Sequence, residues 1–355
     1  MKIAITADVH LTTSEKHPER YHALENILNQ MLELRIGHLI IAGDLFDAAC
    51  QNPGGFESIL QNNKYEQLNL YVIPGNHDPA LTMGGFTLPN FTYCVKERFI
   101  PITPEISFLF LPYKVNSTIG EALAASSLDL KAGKWVLIAH GDYLGNTRSR
   151  NLYESGLYMP LSRRDIQNFK PIKVFLGHIH APLDEESIHV PGSPCGLDIT
   201  ETGIRSFIIY DTDANQTQRL PIKTDHIFMQ ENLILLPMKE EVPYIQQTLK
   251  QKISNWKLNE QQKSTVKLRV TAKGFSTNRD LARKVILEFL NQENITLYEA
   301  PDLSSLRPSN DTTREDIANE VQKLILAMDS PRGLDEPTVD EYTVSALNQI
   351  YGAKL

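Results

Sequence analysis

The sequence predicts a layered α/β protein followed by a smaller α+β unit and a helical tail. Three observations carry that expectation. Short β-branched runs alternate with a helical pattern through the first 220 residues, the pattern changes after about residue 221, and 355 residues exceed one ordinary core. The runs are Ile3–Ala7, Leu39–Ala42, Leu70–Ile73, Ile106–Leu111, Trp135–Ala139, Val174–Leu176 and Phe207–Tyr210. Their length and their Gly, Pro or Asp boundaries mark buried strands. Between the first two, "PERYHALENILNQMLELRIG" places Leu24, Ile27, Leu28, Met31, Leu32 and Leu34 near helical spacing, with Gly37 as the stop. "SRRDIQNF" opens with Ser162 and Asp165 at capping-box spacing.

Beyond residue 221, "STVKLRVTAKG" alternates as a strand does. Asn278–Asn291 reads as a helix with Leu281, Val285, Ile286 and Phe289 on one side, and "ITLYEA" reads as another strand. "PDLSSLRPSNDTT" has the composition of a linker. Two amphipathic helices are expected after it. One spans about 313–328, with Ile317, Val321, Leu324, Ile325 and Met328. The other spans about 338–351, with a Thr338/Glu341 capping box and apolar Val339, Tyr342, Leu347 and Ile350. The expected units are therefore 1–221, 222–303 and 304–355.

Hydrophobic residues make up 41% and charged residues 22%, as in globular proteins. No apolar run reaches membrane-spanning length, and "MKIAITADVH" reads as a first strand rather than a signal peptide. Cys50, Cys94 and Cys195 are odd in number and far apart, which suits a reducing cytoplasm better than a disulfide framework. A net charge of −8 argues against a generally basic nucleic-acid binder. Charge is uneven, however. Residues 131–173 carry eight Lys/Arg against three Asp/Glu, and residues 301–355 carry five against ten.

Polar residues close strand after strand. The runs lead into Asp8-Val9-His10, Gly43-Asp44-Leu45-Phe46-Asp47, Gly75-Asn76-His77-Asp78, His140-Gly141-Asp142 and Gly177-His178-Ile179-His180. In open α/β sheets ligands sit beyond the carboxyl ends of strands, so five ends can converge on one site. Carboxylate oxygen and neutral imidazole without thiolate suit manganese, iron or zinc. Asp8/His10 and His178/His180 are alternate residues, which point the same way on extended backbone. Gly43, Gly75 and Gly177 are expected to relax the chain where it turns. Taken singly, each tripeptide has an ordinary role as a turn or strand end. All five in this order rarely coincide by chance.

The order Asp-x-His, Gly-Asp-x-x-Asp, Gly-Asn-His-Asp, His, Gly-His-x-His resembles the calcineurin-like metallophosphoesterases over roughly residues 1–220. That resemblance implies a layered β-sandwich flanked by helices and two divalent metal ions, Mn²⁺ foremost, with Fe²⁺ or Zn²⁺ as alternatives. It implies that Asp8, His10 and His180 bind one ion, that Asn76, His140 and His178 bind the other, and that Asp44 bridges them. His77 would face the scissile phosphate as a catalytic group. A dinuclear centre of this kind suits hydrolysis of phosphoesters by activated water. Asp78 is read either as a carboxylate orienting His77 or as a turn residue.

Further stretches are similar to the SbcD-type nuclease subunit of double-strand-break repair complexes: "ADVHL", "LIIAGDLFD", "YMPLSRRDI…FLGHIHAP" and "VPGSPCGLDITETGIRSFIIYD". That similarity implies exonuclease or endonuclease action on DNA, a capping domain over 222–303 and a tail that docks on an SMC-like ATPase of the SbcC type. It also implies a homodimer. The tail helices packing on the cap is the alternative. Asp47 departs from the group, which often has His there. Ala48-Ala49 stand where protein phosphatases usually have Arg-Gly. A small-molecule phosphodiesterase acting on cyclic nucleotides fits the core motifs but gives no reason for cap or tail. A non-catalytic scaffold would typically have lost ligands. Arg148, Arg150, Arg163 and Arg164 are candidate contacts to DNA phosphates, with Tyr153 and Tyr158 as stacking or packing residues.

Overall fold

The structure, a computed structural model, describes residues 1–48, 50, 54–78, 89–130, 133–145, 148–149, 156–237, 240–308, 313–326 and 339–352. They form two compact units. One comprises Met1–Leu197 and Ile204–Asp225, and the other Asp198–Gly203 and His226–Leu355.

The first unit is built on two six-stranded sheets. In one sheet Lys2–Thr6 pairs parallel with His38–Ala42, which pairs with Asn69–Ile73, which pairs with Phe91–Tyr93. Ser206–Asp211 joins the other side of Lys2–Thr6 antiparallel, and Gln216–Pro221 forms the edge. In the second sheet Ile106–Phe110, Lys134–His140, Lys173–Gly177 and Ile188–Val190 run parallel. All seven expected runs are strands.

Strand alternation explains the layers. Ile3, Ile5, Ile40 and Ile73 from the first sheet share a buried cluster with Phe108, Phe110, Val136, Ile138 and Phe175 from the second, so the sheets pack face to face. Ala4, Leu39, Ile41, Leu70 and Val72 point the other way, onto Leu24, Ile27, Leu28 and Met31 of the helix Pro18–Glu33. Leu34 was expected on that helical face, but it caps the C-terminus and is exposed. The outer face of the second sheet is covered by Ile119 and Leu123 of the helix Ile119–Ala125 and by Ile166 and Phe169 of Arg163–Phe169. Ser162 and Asp165 form the capping box at the latter's start.

In the second unit, Ile227–Leu235 and Val266–Ser276 run parallel, and the helices Glu241–Ser254 and Arg279–Gln292 pack on them. Val285, Ile286 and Phe289 are buried as expected, whereas Leu281 is exposed. "ITLYEA" contributes only Thr296–Leu297 to the sheet. The stretch read as a linker is instead a strand, Asp302–Pro308, paired with Val266–Ser276. A register shift opposite Thr271 and Lys273 brings both Leu303 and Leu306 into the core. Their spacing of three hides the period of two that marks a strand in sequence.

The helices Thr313–Leu326 and Val339–Gly352 follow. Val344 packs with Ile234 and Leu236, while Ala318 and Leu347 pack with Phe275. Leu324, Tyr342 and Ile350, expected on apolar faces, are exposed. Met328 and Thr338 lie outside the described residues. Among the described residues no helix is long and apolar enough to cross a membrane. Cys50, Cys94 and Cys195 are buried and form no disulfide among the described residues.

Candidate metal centre

Five strand ends bring their polar residues together. Asp8, His10 and His180 form one cluster, and Asp44, His140 and His178 form a second; within each, the potential ligand atoms lie within 4.8 Å of one another. His10, Asp44 and His77 form a third such group, which links the first two. Asn76 completes the second cluster, because its Oδ1 lies 2.9 Å from His140 Nε2 and 3.0 Å from His178 Nδ1. His10 Nε2 and His180 Nε2 face each other at 3.2 Å. Asp44 Oδ2 lies 3.3 Å from His140 Nε2 and 3.6 Å from His10 Nε2, between the clusters.

The backbone that delivers these groups is not extended. Asp8, His10, Asp44 and His178 have φ of 54°, 49°, 49° and 89°. The left-handed region is costly for residues with a Cβ, and four such residues in one site mark stored strain. Turning the chain through this region, rather than alternation along a strand, aims Asp8 and His10 at one point. The strain is held by cross-links between strand ends. Asp8 N–H donates to Gly43 O (3.1 Å) and His10 N–H to Asp44 O (3.0 Å). His178 N–H donates to Asp8 Oδ1 (2.8 Å), and His77 N–H to Asp44 Oδ1 (2.9 Å).

The glycines divide by cause. Gly43 has φ +95°, and a Cβ there would lie 2.1 Å from His140 Nδ1. At Gly75 the limit is space alone. Its Cβ would lie 2.1 Å from Asp44 Oδ1 and 2.6 Å from the Asp44 backbone nitrogen.

Electrostatics follow from burial and proximity. Burial pulls His10 down to about 3, which leaves a neutral imidazole with a lone pair to offer. Burial pushes the Asp8 carboxyl up to about 6, against the pull of His180 and His140. Burial would also lower His140, but Asp44 and Asp8 outweigh it and raise the ring to about 9, a cationic site in which a metal ion would take the place of the ring proton. Burial would raise Asp44, but His140 and His10 hold it below the ordinary carboxylate value. His140 Nδ1–H donates to Ala42 O (2.9 Å), which turns Nε2 toward Asn76 and Asp44.

The donor set fits divalent cations. It offers carboxylate, imidazole and amide groups and no thiolate. Asp8 Oδ2 is buried with no hydrogen-bond partner among the described residues, a costly arrangement for a carboxylate unless a cation meets it.

Asp78 does not sit as a partner of the His77 ring. Its Oδ2 accepts from Leu45 N (2.8 Å) and Phe46 N (3.2 Å), and its Oδ1 accepts from Gly75 N (2.6 Å). It staples the Asp44 loop to the Asn76 loop, and burial, followed by the Asp44 charge, pushes its carboxyl up to about 6. The turn-residue reading is the one this geometry favours. Asp47 lies 3.3 Å from Arg20 Nη1, and the same nitrogen donates to His10 O. Asp47 therefore anchors the His10 loop from behind.

Of the candidate DNA contacts, Arg163 is engaged by Glu185, and Arg164 is exposed on its helix. Arg148 is described by its backbone only, in the short strand Arg148–Ser149. Arg150 and Tyr153 lie outside the described residues. Tyr158 packs its ring 4.8 Å from that of His178.

Sequence reasoning missed several supports. Buried Asp142 places Oδ1 3.8 Å from His178 Nε2 and accepts from Tyr158 N (2.7 Å). Its position two residues after His140, at a polar strand end, was a usable signal. Buried Arg205 donates to His180 O and to Ser193 O (2.9 Å), holding the last loop of the site. Nothing local in sequence marks an arginine that acts on a carbonyl 25 residues away.

A family model for calcineurin-like phosphoesterases matches residues 1–214, more than half of the chain. The chain belongs to the calcineurin-like phosphoesterase family. This phosphoesterase is 26% identical over 197 residues to a probable cyclic nucleotide phosphodiesterase of Coxiella burnetii, covering 51% of this chain and 76% of that one. Solved structures similar to it include a phosphoesterase from E. coli, at 14% identity and TM-score 0.32, covering 63% of this chain and all of that one. They also include a dimetal phosphatase from Danio rerio, at 9% identity and TM-score 0.38, covering 62% and 96%.

Proposed function

We propose that this calcineurin-like phosphoesterase is a two-metal phosphodiesterase that cleaves DNA. The observation that carries the phosphodiesterase reading is the meeting of five strand ends in two linked donor clusters. In this reading Asp8, His10 and His180 hold one divalent cation, Asn76, His140 and His178 hold the other, and Asp44 is shared. Bound there, the ions supply Lewis acidity toward a phosphoryl oxygen and lower the pKa of water.

The chain's own residues do the rest. The left-handed turns and their cross-links fix the donors before substrate arrives, so little reorganisation accompanies reaction. His77 is half-buried and its ring stands 4.8 Å from that of His10. In this reading it hands a proton to the departing oxygen. Asp78 keeps the His77 and Asp44 loops in register. Asp142 and Tyr158 back the His178 ring.

DNA as substrate is supported by the SbcD-type similarity through the phosphoesterase region and by a second α/β unit with two further helices. Exposed Leu324, Tyr342 and Ile350 on those helices are the residues through which an SMC-like ATPase would dock. A cyclic nucleotide substrate is the second reading, and the Coxiella burnetii relative favours it. Purified protein with Mn²⁺ is to be offered linear DNA, cyclic nucleotides and a phosphopeptide, with His77→Ala as control. DNA cleavage lost in the control supports the first reading. Cleavage of cyclic nucleotides without DNA cleavage replaces it with the second.

A further inference from the structure

A cavity of about 410 Å³ opens beside the metal centre, within the first unit. Leu111 and Met159 form its apolar floor, Tyr113 one wall, Ala122 and Ala125 another, and Lys96 and Lys114 stand at its rim. Neither lysine makes an ion pair among the described residues. Glu97 also lines the cavity between them in sequence, and its carboxylate accepts from Ser126 Oγ at 3.0 Å.

The cavity and the donor cluster share a wall. The Tyr113 ring stands edge-on to His140 with centroids 6.3 Å apart, and 6.4 Å from the Tyr158 ring, which in turn covers His178. Tyr113 N–H donates to Pro74 O (3.2 Å), just before the Gly75-Asn76-His77 turn. Lys114 N–H donates to Met159 Sδ (3.2 Å), which ties floor to rim. A phosphoryl group alone needs only the ions. A cavity of this volume, next to them, takes an organic group of the size small-molecule pockets enclose. A flat aromatic wall over an apolar floor, with cations at the mouth, fits a planar base on an anionic backbone.

We propose that this cavity is a nucleobase subsite, in which Tyr113 stacks on the base of a nucleotide adjoining the scissile phosphate while Lys96 and Lys114 meet its backbone. The inference rests on the phosphodiesterase reading and adds the group that the enzyme recognises. Tyr113 is then a specificity-determining residue.

The test compares three esters with the same leaving group: the 4-nitrophenyl phosphates of thymidine 5′-OH, of thymidine 3′-OH, and of methanol. Mn²⁺-loaded wild type is expected to prefer one thymidine ester to the methyl ester in kcat/KM. Ala122→Trp and Ala125→Trp fill the cavity from residues outside the donor clusters. Each is expected to reduce that preference roughly 5- to 150-fold, the range spanned by one base–aromatic stack, with methyl ester turnover kept. Tyr113→Ala reduces the preference equally, and Tyr113→Phe restores it. No preference in wild type, or a preference that survives both tryptophan variants, overturns the subsite. If wild type hydrolyses none of the esters, the phosphodiesterase reading fails, and equilibrium binding of thymidine 5′-monophosphate decides the subsite by itself. Binding lost in Ala122→Trp and Ala125→Trp upholds it; no binding, or binding unchanged in both, overturns it.

Discussion

Gly75→Ala adds one methyl group to a crowded point of the site. The glycine has ordinary backbone angles, so the added carbon acts through space alone. It would lie 2.1 Å from Asp44 Oδ1, 2.6 Å from Asp44 N and 2.7 Å from Asp44 Cγ. Ordinary contact demands a separation greater by roughly 1 Å or more. Asp44 cannot swing aside cheaply, because its Oδ1 accepts from His77 N and its backbone carbonyl accepts from His10 N. Overpacking of this kind costs about 1–3 kcal/mol in stability. In the proposed two-metal centre, displacing the shared Asp44 by about 1 Å costs on the order of 100-fold in rate. The assay is kcat/KM on bis(4-nitrophenyl) phosphate with Mn²⁺, together with metal content after dialysis and urea unfolding. Expected are a fall of about 100-fold, metal retention below wild type and a lower urea midpoint. Gly37→Ala is the control, since a Cβ there meets nothing within 4 Å, and it should match wild type or gain slightly in stability. Wild-type activity and metal content in Gly75→Ala would refute the reasoning.

Other expectations follow from individual contacts. His77→Ala should lower kcat by about 10²- to 10⁴-fold while metal content stays at the wild-type level; loss of metal would instead make His77 a ligand. At Asp184, burial alone would raise the carboxyl, but bonds from Arg219 (2.6 Å) and His189 (2.7 Å) outweigh it and hold it below the ordinary 3.8. A depressed carboxylate stabilises the fold above its unfolded value and stops doing so as pH falls through the folded value. Asp184→Asn should therefore be less stable than wild type to urea at pH 7, with the gap closing below pH 3.8, and a gap independent of pH would contradict this. Under the DNA reading, Arg164→Ala should weaken binding to DNA and reduce its salt slope by about 1, whereas Arg163→Ala, whose guanidinium is held by Glu185, should change it less.

The site was legible because its chemistry is local. Asp8/His10, Gly43/Asp44, Gly75/Asn76/His77 and His178/His180 each stand where an apolar run stops, and those strand ends meet in the candidate metal clusters. The backbone that aims them was not legible. Nothing in Asp-Val-His announces left-handed φ at both ends, because the strain is held by partners such as Gly43 O and Asp44 O from another strand. The same limit hid Arg20 and Arg205, which act on distant carbonyls. In the second unit, the spacing of Leu303 and Leu306 disguised a strand as a linker, because its register shift is visible only against its partner. Leu34, Leu281 and Leu324 have helical spacing yet are exposed, since periodicity gives a face but not how far a neighbour covers it.

The most direct test is anomalous scattering from crystals grown with Mn²⁺. Two manganese peaks are expected, one among Asp8, His10 and His180 and one among Asn76, His140 and His178, both in contact with Asp44. A site without manganese, or one bound through other side chains, would contradict the dinuclear centre.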